Sequence, residues 1–171
     1  AFFSYLVVNN EIPFPKEISV SLELLRSALT HLSKGKAKCN GIVVEVDEPD
    51  FLQGAERDTA EARIRRFKTL SRMLGYPLKT VLIPYSQPRL APNDEMEKEL
   101  PMRLMYAVAG PLPEPRAMRK EEALQILRFL SEAIYGDHFE YAEDYNRMYR
   151  TYLHSWYYSL SRKTPETVTL S

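Results

Sequence analysis

The sequence predicts an α/β fold: a mixed sheet flanked by helices, with a helical extension at the C-terminal end. Two observations lead to this prediction. Between residues 1 and 110, short apolar runs typical of strands alternate with stretches in which apolar residues recur at helical spacing. After residue 116, only the helical spacing is found. We therefore expect an α/β core at 1–110, followed at 111–171 by a proline-rich linker and two aromatic-rich helices.

Length, charge and cysteine content narrow the class of function. The 171 residues suffice for one domain with an appendage. Basic and acidic residues number 23 each, so no net field favours nucleic acid or an anionic membrane as a partner. Cys39 is the only cysteine and cannot form an internal disulfide. No apolar run reaches the roughly 20 residues of a membrane-spanning helix. We expect a soluble, cytoplasmic protein.

The first strand is predicted from the continuous apolar run at 2–8, which ends in a loop. Helical spacing at 20–32 then predicts a helix, with Ser19 placed as its N-cap and Gly35 at its end. A strand at the edge of a sheet exposes unpaired backbone groups. We expect this edge to be covered by a preceding domain or by a second copy in a homodimer.

The central elements are a strand at 42–46 and the helix that follows it. Asp58 and Glu61 have the spacing of a capping box, which predicts that the helix begins near Asp58. Gly75 marks its end, and Pro77 blocks further extension. With right-handed crossovers, the strand-like runs separated by helices are expected to be parallel neighbours in one sheet.

The remaining elements are a hairpin and two helices. Residues 102–109 form a last apolar run, which is expected to pair as a hairpin with residues 81–83. One apolar helical stripe then runs through 123–134 and ends at Gly136, and another runs through 141–160. The segment 141–158 holds six of the eleven tyrosines and the only tryptophan. Such a stripe is compatible with helix packing, with a partner surface, or with an aromatic clamp for a ligand.

Four segments occur in an order that few folds share: Gly-Ile-Val-Val-Glu-Val-Asp-Glu-Pro at 41–49, Arg-Met-Leu-Gly-Tyr at 72–76, Pro-Tyr-Ser-Gln-Pro at 84–88, and Met-Arg-Leu-Met-Tyr-Ala-Val at 102–108. In this order they resemble the second half of the GNAT superfamily of N-acetyltransferases, in the bacterial branch with a Pro-Tyr-x-Gln-Pro segment before the final strand. The resemblance implies a partial GNAT sheet and the transfer of an acetyl group from acetyl-CoA to an amine.

The resemblance also implies where acetyl-CoA would bind, along the first strand and the loop after it. The corresponding positions are Leu6, Val7, Val8, Lys16, Ile18 and Ser19. The family's loop carries glycines whose backbone amides surround the pyrophosphate. Here the loop has no glycine, and Glu17 brings a negative charge to the phosphate position. The loop is therefore either a degenerate coenzyme site or a simple connection with a helix cap.

Glu45 is the candidate for a general base, and Ser71 occupies the position of the family's acid. Glu45 lies between two valines in a strand expected to be buried, and burial raises the pKa of a carboxyl group towards that of a general base. The alternative is an ion pair with an arginine of the next helix. Ser71 stands where the resemblance implies an acidic tyrosine, four residues before Gly75. A serine hydroxyl is a poor acid, so a small packed residue is the competing interpretation.

Tyr85 and Gln87 are the candidates on the acceptor side. They occupy the polar positions of the Pro-Tyr-x-Gln-Pro segment, where the resemblance implies binding of the acyl acceptor. We expect Tyr85 to act in catalysis and Gln87 to contact the substrate. The alternative is that the two prolines shape a turn whose backbone these side chains satisfy.

The three histidines, His31, His138 and His154, lack a regular ligand spacing and predict no metal site. Two functions remain open. The first is an acyl-CoA-dependent N-acyltransferase, of low or no activity, acting on an amine or another small molecule. The second is a non-catalytic GNAT-like binding or interaction module that assembles through its C-terminal helices.

Overall fold

The computed structural model describes residues 26–27, 41–89, 98–108, 117–136 and 143–171. Of the predicted first helix it describes only 26–27, which are helical. The predicted first strand and all six coenzyme candidates, Leu6, Val7, Val8, Lys16, Ile18 and Ser19, lie outside the described residues. The described residues form two compact units. The first contains 26–27, 41–80 and 105–108, and the second contains 81–89, 98–104, 117–136 and 143–171.

The first unit is built from a sheet and one long helix. Its described elements are β1 (Gly41–Asp47), a 3-10 turn (Pro49–Phe51), α1 (Gly54–Met73), β2 (Lys79–Thr80) and the second half of β4 (Leu100–Val108). Strand β4 lies between β1 and β2 in the sheet. The prediction that the strands on either side of the central helix are neighbours is therefore wrong, because the last strand separates them.

The predicted hairpin forms, but its first strand lies earlier than 81–83. Strand β2 runs antiparallel to β4, with Lys79 opposite Tyr106 and Thr80 opposite Met105. The Val81 N–H still donates to the Leu104 carbonyl of β4 at 2.9 Å, but the Leu82 N–H donates to the carbonyl of Thr169. The segment around Thr169 therefore binds a backbone N–H that the sequence analysis expected to pair with the last strand of the hairpin.

The core of the first unit lies between one face of the sheet and α1. Alternate residues of β1 point to this face, because side chains along a strand alternate. The buried members of the core are Ile42, Val44, Val46, Ile64, Leu78, Met105 and Ala107. Burying one such aliphatic side chain contributes about 1.5–3 kcal/mol to folding. Glu45 belongs to the other face of β1 and is half-buried.

The helix α1 ends as predicted and begins earlier than predicted. Gly75, with a φ of 80°, follows its last turn, and the Tyr76 N–H donates to the Ser71 carbonyl at 2.8 Å, as in a Schellman motif. The helix begins at Gly54, so the predicted capping box at Asp58 and Glu61 is wrong. Both residues lie inside the helix, where Glu61 is free to pair with arginines one turn away on either side.

The second unit combines short strands with two helices. Its further described elements are β3 (Ser86–Gln87), β5 (Ala117–Arg119), α2 (Lys120–Phe129) with a π-helical continuation (Leu130–Tyr135), α3 (Glu143–Lys163) and β6 (Thr167–Thr169). Strand β3 pairs antiparallel with the start of β4, and β5 pairs antiparallel with β6. The prediction of helices alone after residue 116 is wrong in this respect, because three-residue strands are too short to show a period of two.

The two predicted helical stripes form the core of the second unit. Its largest buried side chains include Leu127, Leu130, Tyr149, Leu153, Trp156, Leu160 and Val168. Tyr149 and Trp156 are buried inside their own unit, which confirms the packing interpretation for these two aromatic residues. Tyr158 remains 58% exposed. Within the described ranges, no helix is both long and apolar enough to cross a membrane.

Candidate functional site

The Pro-Tyr-Ser-Gln-Pro segment packs against α3. The Tyr85 side chain is buried, and its ring meets that of Trp156 edge-on, with 6.0 Å between the ring centres. The Trp156 ring meets Tyr135 in the same way at 6.2 Å. The Tyr85 carbonyl accepts a hydrogen bond from the Met102 N–H at 3.2 Å. These contacts favour a structural role for Tyr85, because a buried ring in an aromatic cluster has little access to a substrate.

A polar network continues from this cluster along β3. The Trp156 indole N–H donates to the Ser86 carbonyl at 3.0 Å, and the Ser86 hydroxyl donates to the Glu99 carboxylate at 2.8 Å. The Tyr152 hydroxyl donates to the other oxygen of Glu99 at 3.2 Å and accepts from the Arg89 N–H at 2.9 Å. Helix α3 therefore forms hydrogen bonds with β3, with Arg89 just after β3 and with Glu99 just before β4.

The pKa of Tyr152 in this network is raised. Its partial burial raises the pKa of the hydroxyl, and the neighbouring Glu99 carboxylate raises it further. The hydrogen bonds with Arg89 act in the opposite direction but do not cancel the effect of burial. The Arg89 guanidinium also lies 4.9 Å from the centre of the Tyr152 ring. Tyr152 thus stays protonated at neutral pH and can donate to Glu99.

Gln87 is the predicted site residue that best keeps its functional interpretation. It is half-buried in β3, opposite Leu100 of β4. Because neighbouring side chains in a strand point to opposite faces, Gln87 faces away from the side on which Ser86 meets Glu99. Its amide carries two donors and an acceptor for a ligand.

Ser71 has a structural role in the first unit. It is buried, its hydroxyl donates to the Lys68 carbonyl at 3.1 Å, and it accepts from the Leu78 N–H at 3.0 Å. The hydroxyl thereby joins the last turn of α1 to the residue just before β2. A hydroxyl engaged on both sides is poorly placed to protonate a thiolate.

Glu45 lies in the first unit, whereas Tyr85 and Gln87 lie in the second. One arginine of α1, Arg63, pairs with Asp47 at the end of β1, with 2.6 Å between the guanidinium nitrogen and the carboxylate oxygen. Whether Glu45 is a general base or a partner of an arginine stays a prediction.

The second unit also contains a cleft that the sequence did not indicate. Its volume is about 550 Å³, and it lies between the α2 continuation and α3. The described residues that line it are Arg128, Ser131, Glu132, Gly136, Arg150, Leu153, His154 and Tyr157. A second cleft, of about 690 Å³, shares Arg150 and His154 with it and extends along α3 to Arg147. The only sequence signal was the spacing of these residues at three and four positions along each helix.

No group of three or more histidine, cysteine, aspartate or glutamate side chains in the described part of the chain could hold a metal ion. Comparison of the chain with protein-family models, with curated proteins and with solved structures found no match.

Proposed function

We propose that the protein is a GNAT-like N-acyltransferase that transfers an acetyl group from acetyl-CoA to an amine at a low rate. The observation that carries this proposal is the order of the elements β1, α1, β2, β3 and β4. This is the order of the four segments on which the resemblance rests. The proposal is supported by the sheet order β1-β4-β2, with β3 paired to β4, because it joins the strands of three of these segments.

The reaction needs a base more than it needs any other side chain. The amine attacks the thioester carbonyl, the amine loses a proton, and the thiolate of coenzyme A leaves. Glu45 is the carboxylate that we propose as the base. Ser71 cannot readily supply the proton to the thiolate, because its hydroxyl is held by Lys68 and Leu78. Without a dedicated acid, the rate of the step is expected to be low.

On the acceptor side we propose that Gln87 contacts the substrate, while Tyr85 positions the segment. The buried Tyr85 ring and the bond from Trp156 to Ser86 fix the backbone of β3. A fixed backbone limits the positions open to the Gln87 amide, and such preorganisation reduces the entropy cost of orienting the acceptor.

The test measures thiol release from acetyl-CoA with a panel of primary amines, using a thiol-reactive dye. We expect slow, amine-dependent release, and a loss of about a hundredfold or more in kcat for Glu45→Gln, the usual contribution of a general base. Glu56→Gln, a change of the same type at an exposed position in the first turn of α1, is the control. The proposal fails if calorimetry detects no binding of acetyl-CoA at millimolar concentration and release never exceeds that of the buffer.

The non-catalytic module is the second candidate, and the hydrogen bonds of Ser71 favour it. This candidate predicts that acetyl-CoA or an amine raises the melting temperature without any thiol release, since a ligand stabilises the state that binds it. It also predicts self-association, which sedimentation velocity measures. The exposed Met148 and Tyr158 on α3 are the first residues to change in that experiment.

A further inference from the structure

The cleft between the α2 continuation and α3 has the size of a small-molecule site. Ligand pockets commonly enclose about 300–1,000 Å³, and this cleft encloses about 550 Å³. One wall begins where α2 changes into a π-helix, seen in the bond from the Gly136 N–H to the Ser131 carbonyl at 3.0 Å. Such local π-helices are frequent at functional sites. Volume and helix type together point to a ligand.

The charges of the lining favour an anion. Two arginines and one carboxylate line the cleft, and the carboxylate, Glu132, already binds Arg128 at 2.8 Å one turn away on the same wall. The side chains of Arg150 and His154 form no hydrogen bond or ion pair with any described residue. They lie one turn apart on α3, so a single anionic group can contact both. The guanidinium fork of Arg150 suits a phosphate or a carboxylate.

The rest of the lining consists of Ser131, Gly136, the apolar Leu153 and the aromatic Tyr157. Leu153 is buried, and the half-buried Tyr157 lies near Arg128. An inorganic ion would leave most of the volume and this wall unused. A molecule with a planar apolar part would contact the wall and bring its anionic group to Arg150.

We propose that this cleft binds a small organic anion, whose phosphate or carboxylate contacts Arg150 and His154 and whose planar part packs against Leu153 and Tyr157. The site is separate from the acyl transfer proposed above and does not depend on it. A phosphate and a carboxylate ligand would both bind through an anionic group at Arg150 and His154, and the probes below distinguish between the two.

The experiment uses the full chain and isothermal titration calorimetry with four probes. Adenosine monophosphate and 2-naphthoate each combine an anion with a planar ring system, adenosine is planar and neutral, and inorganic phosphate is an anion without a ring. We expect adenosine monophosphate, 2-naphthoate or both to bind at least tenfold more tightly than adenosine and inorganic phosphate. Arg150→Gln should weaken that binding by about tenfold to a hundredfold, the effect of losing a hydrogen bond to a charged group.

Arg162→Gln is the matched control, because Arg162 lies on the same helix outside the cleft, with its guanidinium 5.9 Å from the Tyr158 ring. Tyr157→Leu should weaken the binding of the planar anions and leave the affinity for inorganic phosphate unchanged. The proposal is overturned if no probe binds at 5 mM, if adenosine binds as tightly as its monophosphate, or if both arginine variants lose affinity equally. Thiol release should be the same with Arg150→Gln as without it, so a failure of acyl transfer leaves this test intact.

Discussion

Replacing Ser71 by alanine should destabilise the first unit without lowering the rate of thiol release from acetyl-CoA. The Leu78 N–H is buried and donates to the Ser71 hydroxyl at 3.0 Å. A buried donor that loses its acceptor costs about 1–3 kcal/mol. Alanine has the higher helix propensity, which returns up to about 0.5 kcal/mol. The net loss in the free energy of unfolding is therefore expected at about 0.5–2.5 kcal/mol.

Hydrogen exchange of the Leu78 amide is the most direct measurement. Urea unfolding measures the free energy of unfolding of the whole protein. The amide should exchange at least several-fold faster in Ser71→Ala. Thr69→Ala is the control, because the Thr69 hydroxyl also bonds to a carbonyl of α1, at 2.9 Å, but is exposed. It should change stability by less than about 0.5 kcal/mol.

Two results would refute this reasoning. Unchanged stability and exchange in Ser71→Ala would mean that the bond to Leu78 contributes nothing. Loss of thiol release from a fully folded Ser71→Ala protein would mean that the hydroxyl is an acid after all.

Two further predictions concern Tyr152 and Gly41. The folded-state pKa of Tyr152 is raised above the usual value of about 10, so the contribution of Tyr152 to stability is complete below that pH and is lost as the pH rises through the folded-state pKa. Tyr152→Phe should remove this part of the pH dependence of the free energy of unfolding, measured with urea. The variant also leaves the Arg89 N–H without its acceptor, which should cost about 1 kcal/mol at pH 8. An unchanged alkaline slope in the variant would contradict this. In Gly41→Ala, the new Cβ would lie 2.5 Å from the Tyr106 ring and 2.7 Å from the Ala107 carbonyl oxygen. We expect the free energy of unfolding to fall by about 1–3 kcal/mol. A melting temperature equal to that of the unaltered protein would disprove this.

The parts of the fold that the sequence predicted correctly are those with strong local signals. The strand at 42–46 has a continuous apolar run, and Gly75 ends α1 because a left-handed residue is needed there. The start of α1 was misplaced because Asp58 and Glu61 match a capping pattern by spacing alone. Strands β5 and β6 were missed because each is three residues long and is stabilised by a partner far away in the chain.

The network around β3 could not be predicted for a related reason. Ser86 and Trp156 are 70 positions apart, and Glu99 and Tyr152 are 53 positions apart. Neither pair has a periodic signature. The sequence singled out the Pro-Tyr-Ser-Gln-Pro segment as a candidate site, which stays a prediction, but only tertiary packing determines that Tyr85 is buried while Gln87 is half-buried.

Helix α3 takes part in both candidate sites through neighbouring faces. One face carries side chains that pack or bond inside the unit: Tyr149, Tyr152, Trp156 and Leu160, with Leu153 at its border with the cleft. The other carries Arg150, His154 and Tyr157, which line the cleft. With about 3.6 residues per turn, the centres of these faces differ by roughly a third of a turn. Substitutions at Arg150 or His154 therefore leave the bonds to β3 in place, whereas Trp156→Phe removes the bond to the Ser86 carbonyl and leaves the cleft's cations unchanged. Substitutions at Arg150 or His154 should consequently change the affinity for the organic anion, whereas Trp156→Phe should change the affinity for the acyl acceptor.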